Sequence, residues 1–215
     1  MALADPLDLT SYFTAADFKS DLQFQQEASG TGNGEKLYAD RGPALRRLEI
    51  TTPPMTHAAA EALIALLNSR GGGLRTILVP HYRAPWPSTD PEGTTFASAT
   101  PEIGTITDRL NIAFVDFPAG YVIPAGTYFG VVDGDGRRYL GQFTEARTAS
   151  GGGAVSAVTI APPLPAAFTT GDVVDVVWPV AKYKLVPGTA IVSQVTVGNS
   201  RVTFQADQTY EADPA

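Results

Sequence analysis

Prolines and glycines interrupt this chain at short intervals along its whole length. There are 17 prolines and 21 glycines among 215 residues. Because both residues disfavour the interior of helices, the segments between them are short. Several of these segments alternate polar with apolar residues and are predicted strands, as in residues 155–160, 193–197 and 201–205. Alternation between frequent turns predicts a mainly β protein.

One segment has helical periodicity instead. Residues 56–70 read THAAAEALIALLNSR. Its apolar residues at spacings of three and four form one stripe: Ala60, Leu63, Ile64 and Leu67. Thr56 is a suitable N-cap, and three consecutive glycines at 71–73 end the helical pattern. We predict a helix over residues 56–70 that packs on a sheet, because burying each large aliphatic side chain contributes roughly 1.5–3 kcal/mol.

The middle of the chain predicts a second module. Residues 84–107 contain four prolines and lack periodicity, which predicts a loop. Short strand-like segments then follow closely between residues 110 and 177. We predict a β-sandwich with one packed α-helix, formed by residues 1–102 and 180–215. A small β-barrel or sandwich module is inserted in it at residues 103–179.

The stretch VVDGDGRRYLGQF, residues 131–143, fits either a calcium loop or the tip of a hairpin. An EF-type loop beginning at Asp133 would need an oxygen ligand at Arg137, a glycine at Arg138 and a glutamate at Thr144. None of these is present. Asp-Gly pairs between two alternating segments supply the positive φ angles that hairpin turns require. We therefore predict a hairpin and no metal site.

Composition limits the classes of partner and compartment. The formal net charge is -7, whereas a nucleic-acid partner usually requires a basic face, so no nucleic-acid binding is predicted. Without cysteine, the chain cannot form a disulfide or a thiolate zinc site. No apolar stretch approaches the roughly 18 residues of a membrane span, and the first residues lack a leader pattern. We expect a protein that is made in the cytoplasm and is not inserted in a membrane.

The catalytic motifs considered do not fit. SGTGNGEK, residues 29–36, resembles a phosphate loop, but Glu35 separates the last glycine from Lys36, so a flexible turn between two strands is the better interpretation. No G-x-S-x-G motif occurs, and His57 and His81 are the only imidazoles. His57 falls in the first turn of the predicted helix, where we expect a surface or packing role. We predict no enzyme activity, no catalytic residue and no cofactor.

Residues 79–87, VPHYRAPWP, have the most ligand-like composition. Tyr82, Arg83 and Trp86 lie there between prolines, which favour an extended arm. Aromatic rings beside an arginine stack on sugars or bases, yet the same residues are enriched at protein interfaces. We favour an interface. The sugar-binding alternative would use four aromatic residues as platforms: Tyr82, Trp86, Tyr139 and Trp178.

Three longer segments follow one another in a characteristic order. ALRRLEITTPPMTHAAAEALIALLNSRGGGLRTILVPHYRAPWPSTDPEG (44–93) is a strand, a helix rich in Ala and Leu, a glycine stop, a strand and a proline-bounded loop. The second segment is a hairpin, YVIPAGTYFGVVDGDGRRYLGQF (121–143). It has Thr127 where the family named below usually has an acidic residue. The third segment is VSAVTIAPPLPAAFTTGDVVDVVWPVAKYKLV (155–186). It joins a strand, a PPL turn and a Gly-Asp before the next strand, and it has Pro165 where the same family usually has arginine. In this order they resemble the minor tail proteins of long-tailed bacteriophages, of the distal-tail or tail-tip (baseplate hub) type.

The resemblance implies a structural virion component that joins the tail tube to the tip or receptor-binding apparatus. It implies a ring of copies, expected to be a hexamer although three copies are the alternative, with tube, hub and tip proteins as further partners. The location would be the virion tail, after synthesis in the host cytoplasm. An alternative function is a carbohydrate-binding β module for adsorption to the host, with a cell-surface glycan as partner.

Within such a ring, extended arms and edge strands become contact surfaces. We therefore expect two regions to anchor neighbouring subunits. The first is the arm at residues 80–87, through Tyr82, Arg83 and Trp86. The second is the N-terminal stretch at residues 6–18, through its three aromatic side chains: Tyr12, Phe13 and Phe18.

Overall fold

The structure, a computed structural model, describes residues 5–10, 12, 17–30 and 32–214. These residues are mainly β, with one α-helix, which confirms the predicted class. The strands are β1 (Leu7–Asp8), β2 (Asp17–Gln23), β3 (Gln26–Gly30), β4 (Lys36–Asp40), β5 (Leu45–Thr51), β6 (Met55–Thr56), β7 (Thr76–Pro80), β8 (Glu102–Ile106), β9 (Asn111–Val115), β10 (Val122–Ile123), β11 (Tyr128–Val132), β12 (Arg138–Phe143), β13 (Arg147–Thr148), β14 (Val155–Ala161), β15 (Val173–Asp175), β16 (Val180–Leu185), β17 (Ile191–Gln194) and β18 (Asn199–Gln208).

Eight strands form one sheet around the last strand of the chain. The order is β1-β7-β16-β18-β5-β2, and β6 and β17 pair with the first half of β18. All of these pairs are antiparallel except β1 with β7. Alternate residues of β18 are buried, among them Val202, Phe204 and Ala206. The alternation predicted near the chain end therefore marks the strand at the centre of this sheet.

The helix α1 (His57–Asn68) is the predicted one, two residues shorter at its C-terminal end. The Thr56 hydroxyl accepts a hydrogen bond from the Ala59 amide at 3.3 Å, which confirms the N-cap. Three members of the predicted stripe are buried in the sheet core: Ala60, Leu63 and Leu67. Within the described ranges, no helix combines the length and apolar character needed to cross a bilayer.

Six strands close into a barrel in the order β11-β12-β14-β9-β8-β15. Its interior is filled by aromatic rings, with Phe129 4.5 Å from Phe143 and 5.5 Å from Phe114 between centroids. Closure leaves a barrel without the free edges of an open sheet. Of the two forms predicted for the inserted module, the structure shows the barrel.

The barrel strands all lie in sequence between β7 and β16, which are hydrogen-bonded neighbours in the sheet. Two residues on the outside of the barrel, Tyr128 and Leu140, belong to the core of the sheet. The chain end makes a second link, because Tyr210 packs 6.4 Å from Tyr139 and 6.3 Å from Phe168. The sheet and the barrel are thus joined by side-chain packing as well as by the chain connections.

Two sequence predictions were wrong in their bounds. The loop predicted at 84–107 contains β8, whose Gly104 and preceding Pro101 weaken the alternation by which strands are recognised. The strand predicted at 193–197 ends at Gln194. The backbone amides of Val195 and Thr196 instead both donate to the Asn199 carbonyl, which closes a turn.

Candidate functional site

The predicted arm, residues 80–87, lies at the junction between the sheet and the barrel. It continues β7 and runs beside the segment that returns from the barrel to β16. The His81 amide donates to the Pro179 carbonyl at 3.0 Å, and the Trp178 amide donates to the Pro85 carbonyl at 2.5 Å. The arm is therefore fastened to its own chain at two points.

Four aromatic residues around the arm form what we call the junction cluster: Phe18, Tyr82, Trp86 and Trp178. Phe18 lies 5.8 Å from Tyr82, Tyr82 lies 6.2 Å from Trp178, and Trp178 lies 5.5 Å from Trp86, all edge to face. Each such pair contributes about 0.5–1.5 kcal/mol beyond the burial of area. Phe18 comes from β2, so the structure brings together members of the two predicted anchor regions.

Arg83, the charged residue of the predicted arm, is exposed. Its Nη2 donates to the Tyr128 hydroxyl at 3.3 Å. The Arg46 guanidinium lies over the ring of the same tyrosine, 5.1 Å from its centroid. Arg83 of the arm and Arg46 of β5 therefore both contact the side chain of Tyr128 in β11.

His81 is buried at the centre of this junction, with 1% of its surface exposed. Its ring lies 3.8 Å from the Tyr128 ring and meets Phe18 edge to face at 5.1 Å. Neither ring nitrogen has a hydrogen-bond partner in the described structure. Burial, and then the charges of Arg46 and Arg83, lower the pKa of His81 to about 3. The sequence does not indicate this burial, because the rings that pack on His81, those of Phe18 and Tyr128, belong to segments distant from it in sequence.

A groove of about 340 Å³ separates the arm from the barrel turn at residues 125–127. Arg83, Trp86 and Thr127 are among its lining residues. Beside it, Trp178 has a φ of 54°, which is unusual for a bulky residue and costs on the order of 1–3 kcal/mol. Strain of this kind is common at functional sites, so Trp178 is a candidate site residue that the predicted interface does not include.

The three predicted N-terminal anchor residues do not lie together. Phe18 joins the junction cluster, whereas Tyr12, 53% exposed, lines a groove on α1. Phe13 lies outside the described residues. The structure therefore does not gather the three residues into one surface.

The β3–β4 hairpin flanks the glycine-rich stretch SGTGNGEK. Its strands pair only with each other, as a two-stranded sheet, and the described residues 32–34 between them form a turn or bend. This confirms a turn between two strands. Three large apolar side chains at or near the hairpin are about 60% exposed: Phe24, Leu37 and Tyr38.

The turn at residues 133–137 is confirmed as the tip of the β11–β12 hairpin. The Asp133 carboxylate accepts hydrogen bonds from the amides of Asp135 (3.0 Å) and Arg137 (2.8 Å), and from Arg137 Nη1 (3.0 Å). The carboxylate is thus used within the turn. In the part of the chain that the structure describes, no group of three histidine, aspartate or glutamate side chains is placed to hold a metal ion.

One of the four predicted sugar platforms is contradicted by its position. Tyr139 is fully buried in the barrel core, and its hydroxyl donates to the Pro162 carbonyl. A ring without exposed surface cannot stack on a sugar. Tyr82, Trp86 and Trp178 remain partly exposed.

Comparison with models of known protein families finds none that matches this chain, and comparison with curated proteins finds no significant relative. The geometry of the surfaces and the motif resemblance are therefore the observations that bear on function.

Proposed function

We propose that this chain is a structural component of a bacteriophage tail, a distal-tail or tail-tip ring subunit that joins the tail tube to the tip or receptor-binding apparatus. The observation that carries the proposal is the β3–β4 hairpin. All ten of its strand residues are exposed, and it includes Leu37 and Tyr38.

A hairpin of this kind is poorly stabilised by its own chain. A two-stranded sheet without a packed third layer is marginally stable in water. Its outer strand edges carry unpaired backbone groups, which favour contact with another chain. Large apolar side chains that stay exposed on such a hairpin therefore favour a neighbouring subunit as the missing layer.

In this proposal the eight-stranded sheet with α1 is the ring-forming module, and we interpret it as the sandwich expected at residues 1–102 and 180–215. The barrel within residues 103–179 is the second module, facing outward. The partners are further copies in a ring, six or three, and the tube, hub and tip proteins. The place of action is the virion tail, and the role needs no catalysis, cofactor or membrane insertion.

The arm residues Tyr82, Arg83 and Trp86 remain predicted anchors of neighbouring subunits. Because each also contacts its own chain, the arm would position the barrel while presenting the exposed part of Trp86 to a neighbour. Replacing Tyr82 and Trp86 together by alanine should reduce assembly while the monomer keeps its β circular dichroism. Unchanged assembly would remove the arm from the interface.

The proposed function is tested in particles produced without this chain. Negative-stain images should show tails that lack tips, and supplying the normal chain should restore them. A variant in which a two-residue glycine turn replaces residues 26–40 should not restore them, although the close approach of the Arg41 amide to the Gln25 carbonyl (2.7 Å) allows that closure. Complete tips in the absence of the chain would overturn the proposal.

The groove between the arm and the barrel favours a second candidate function, binding of a cell-surface glycan. Trp86 supplies an aromatic surface there and Arg83 supplies a donor for sugar oxygens. A glycan array should then show binding that Trp86→Ala abolishes. No binding at high protein concentration would exclude this function.

A further inference from the structure

The outer face of α1 is apolar although it is exposed. A surface helix normally carries charged and polar residues on the side away from the core. The twelve residues of α1 include one charged residue, Glu61. Four alanines on this helix are exposed: Ala58, Ala59, Ala62 and Ala65. Several exposed apolar residues on one face of a helix are typical of a covered position, so a further layer is expected over this face.

A groove lies beside the exposed face of α1. It holds about 260 Å³ and is lined by apolar side chains that include Met55, Ala62 and Leu66, with Tyr12 at one wall. Methionine and aromatic residues are enriched where proteins contact each other, because they fill irregular space without a charge to desolvate. The groove therefore suits an aromatic side chain from a partner.

One face of the β3–β4 hairpin has the matching features. Lys36 and Tyr38 are two residues apart on β4 and therefore point to the same side. Tyr38 is 62% exposed and lies opposite Ala28, whose small side chain leaves the ring prominent. Leu37, equally exposed at 60%, points to the other side.

The two surfaces also have opposite charges. Lys36 stands beside Tyr38, and no ion-pair partner for it is found among the described residues. The same holds for Glu61, which lies three and four residues from Ala58 and Ala65 on the helix. A lysine and a glutamate that each lie next to an unpartnered apolar surface are complementary.

We propose that the β3–β4 hairpin of one copy docks on α1 of a second copy, with Tyr38 in the groove and Lys36 beside Glu61. The contact uses different surfaces of the two copies, so it repeats head to tail and generates a ring where the rotation closes. The inference rests on the proposed function, and it identifies the surfaces through which ring subunits would meet.

The size of the hairpin sets the strength of this contact. Five residues of strand extend about 17 Å, so one ribbon face covers much less than the roughly 800 Å² per partner of a standard interface. A single contact is therefore weak and dissociates readily. Closing a ring makes each further contact intramolecular, which raises the effective concentration of the remaining surfaces.

Engineered cysteines test the contact directly, because the natural chain contains none. Lys36→Cys and Glu61→Cys proteins are purified separately, mixed in equal amounts and oxidised, so that only a disulfide between copies can join the two. The matched control is Ser29→Cys. Ser29 is exposed and pairs with Leu37, so it lies on the opposite face of the hairpin from Lys36 and Tyr38. We expect roughly tenfold more mixed dimer from Lys36→Cys than from Ser29→Cys, because a disulfide requires Cβ atoms about 3.5–4.5 Å apart.

Equal yields of mixed dimer from Lys36→Cys and Ser29→Cys would overturn the proposal. This holds whatever covers α1 instead, be it another face of a second copy, another protein or the chain itself. Each variant is first checked for the melting temperature of the natural protein. Should Glu61→Cys fail this check, Ala58→Cys replaces it on the same exposed face.

A charge exchange gives an independent readout in the particle assay. Lys36→Glu and Glu61→Lys should each reduce tip assembly, and the double variant should restore it. Tyr38→Ser should reduce assembly, whereas Leu37→Ser should not. If tips assemble normally with all four single variants, the docking contact is wrong while the proposed function stands. If tips assemble without the chain at all, the proposed function is wrong, and the disulfide yields still decide the contact.

Discussion

We predict that the buried histidine at the junction makes the protein sensitive to mild acid. His81 has no hydrogen-bond acceptor for a second proton and faces the guanidinium groups of Arg46 and Arg83, while Phe18 and Tyr128 supply uncharged rings. Its pKa is lowered to about 3 in the folded protein, from an ordinary value of 6.5. Between these two pH values the unfolded chain binds a proton that the folded chain does not. Stability therefore falls as the pH falls from about 6.5 toward 3.

The size of the effect follows from the same two values. The full difference corresponds to about 5 kcal/mol of unfolding free energy as an upper limit. Between pH 6.5 and pH 5, above the range in which most carboxylates of an unfolded chain titrate, the loss attributable to His81 is about 2 kcal/mol. Urea denaturation at pH 7 and pH 5, followed by the fluorescence of Trp86 and Trp178 in the junction cluster, measures it.

Replacing the histidine by phenylalanine isolates this contribution. His81→Phe keeps a ring against Tyr128 and loses no hydrogen bond, since both ring nitrogens lack a partner. The variant should be at least as stable as the natural protein at pH 7 and should lose about 2 kcal/mol less on going to pH 5. The control is His57→Gln, since both ring nitrogens of His57 have hydrogen-bond partners, Ser200 in β18 and the Val197 carbonyl in the turn before β18. An unchanged pH dependence in His81→Phe would refute the argument.

Three further substitutions, two of them with a matched control, test the fold through the free energy of unfolding measured by urea denaturation. Asp133→Ala should cost about 1–2 kcal/mol because it leaves turn amides without an acceptor, whereas Asp135→Ala, at an exposed position, should change stability by less than about 0.5 kcal/mol. Asp213→Ala should cost about 2 kcal/mol because the ammonium of Lys182, which is fully buried, loses its carboxylate at 2.5 Å; Lys182→Met should be close to neutral. Leu67→Ala should cost about 2–5 kcal/mol if α1 packs on the sheet as observed. A larger loss of stability in Asp135→Ala than in Asp133→Ala, a larger loss in Lys182→Met than in Asp213→Ala, or a neutral Leu67→Ala would contradict the packing described.

Local chemistry explains which elements were predictable from sequence. The helix was found because its apolar spacing, its threonine cap and its terminal glycines act within about 18 residues. The turn after Val132 was found because Asp-Gly pairs adopt the left-handed backbone that such turns use, here at Gly136 with a φ of 76°. Each of these signals depends on neighbours in sequence.

Pairing between distant segments explains what could not be predicted. β18 lies between β5 and β16, and nothing local specifies which strands a central strand joins. The burial of His81 depends on Phe18 and Tyr128, which are far from it in sequence. Trp178, which has a positive φ, donates its amide to the Pro85 carbonyl, and these two residues are also far apart in sequence. Composition thus identifies the arm as a candidate site, whereas its partners in the fold could not be predicted.

The strand β2 connects the junction to the proposed docking contact. Its residue Phe18 packs on His81 and Tyr82 at the arm. Only two residues separate its last residue, Gln23, from the hairpin that we propose to dock on the next copy. β2 is also an edge strand, and its seven residues include three charged ones, Asp17, Lys19 and Asp21, a composition that disfavours pairing through that edge. Contact through the hairpin face, rather than by strand addition along β2, therefore agrees with the charges of both elements. A copy held by its hairpin is held through the same strand that contacts the arm, so the docking contact would also orient the barrel.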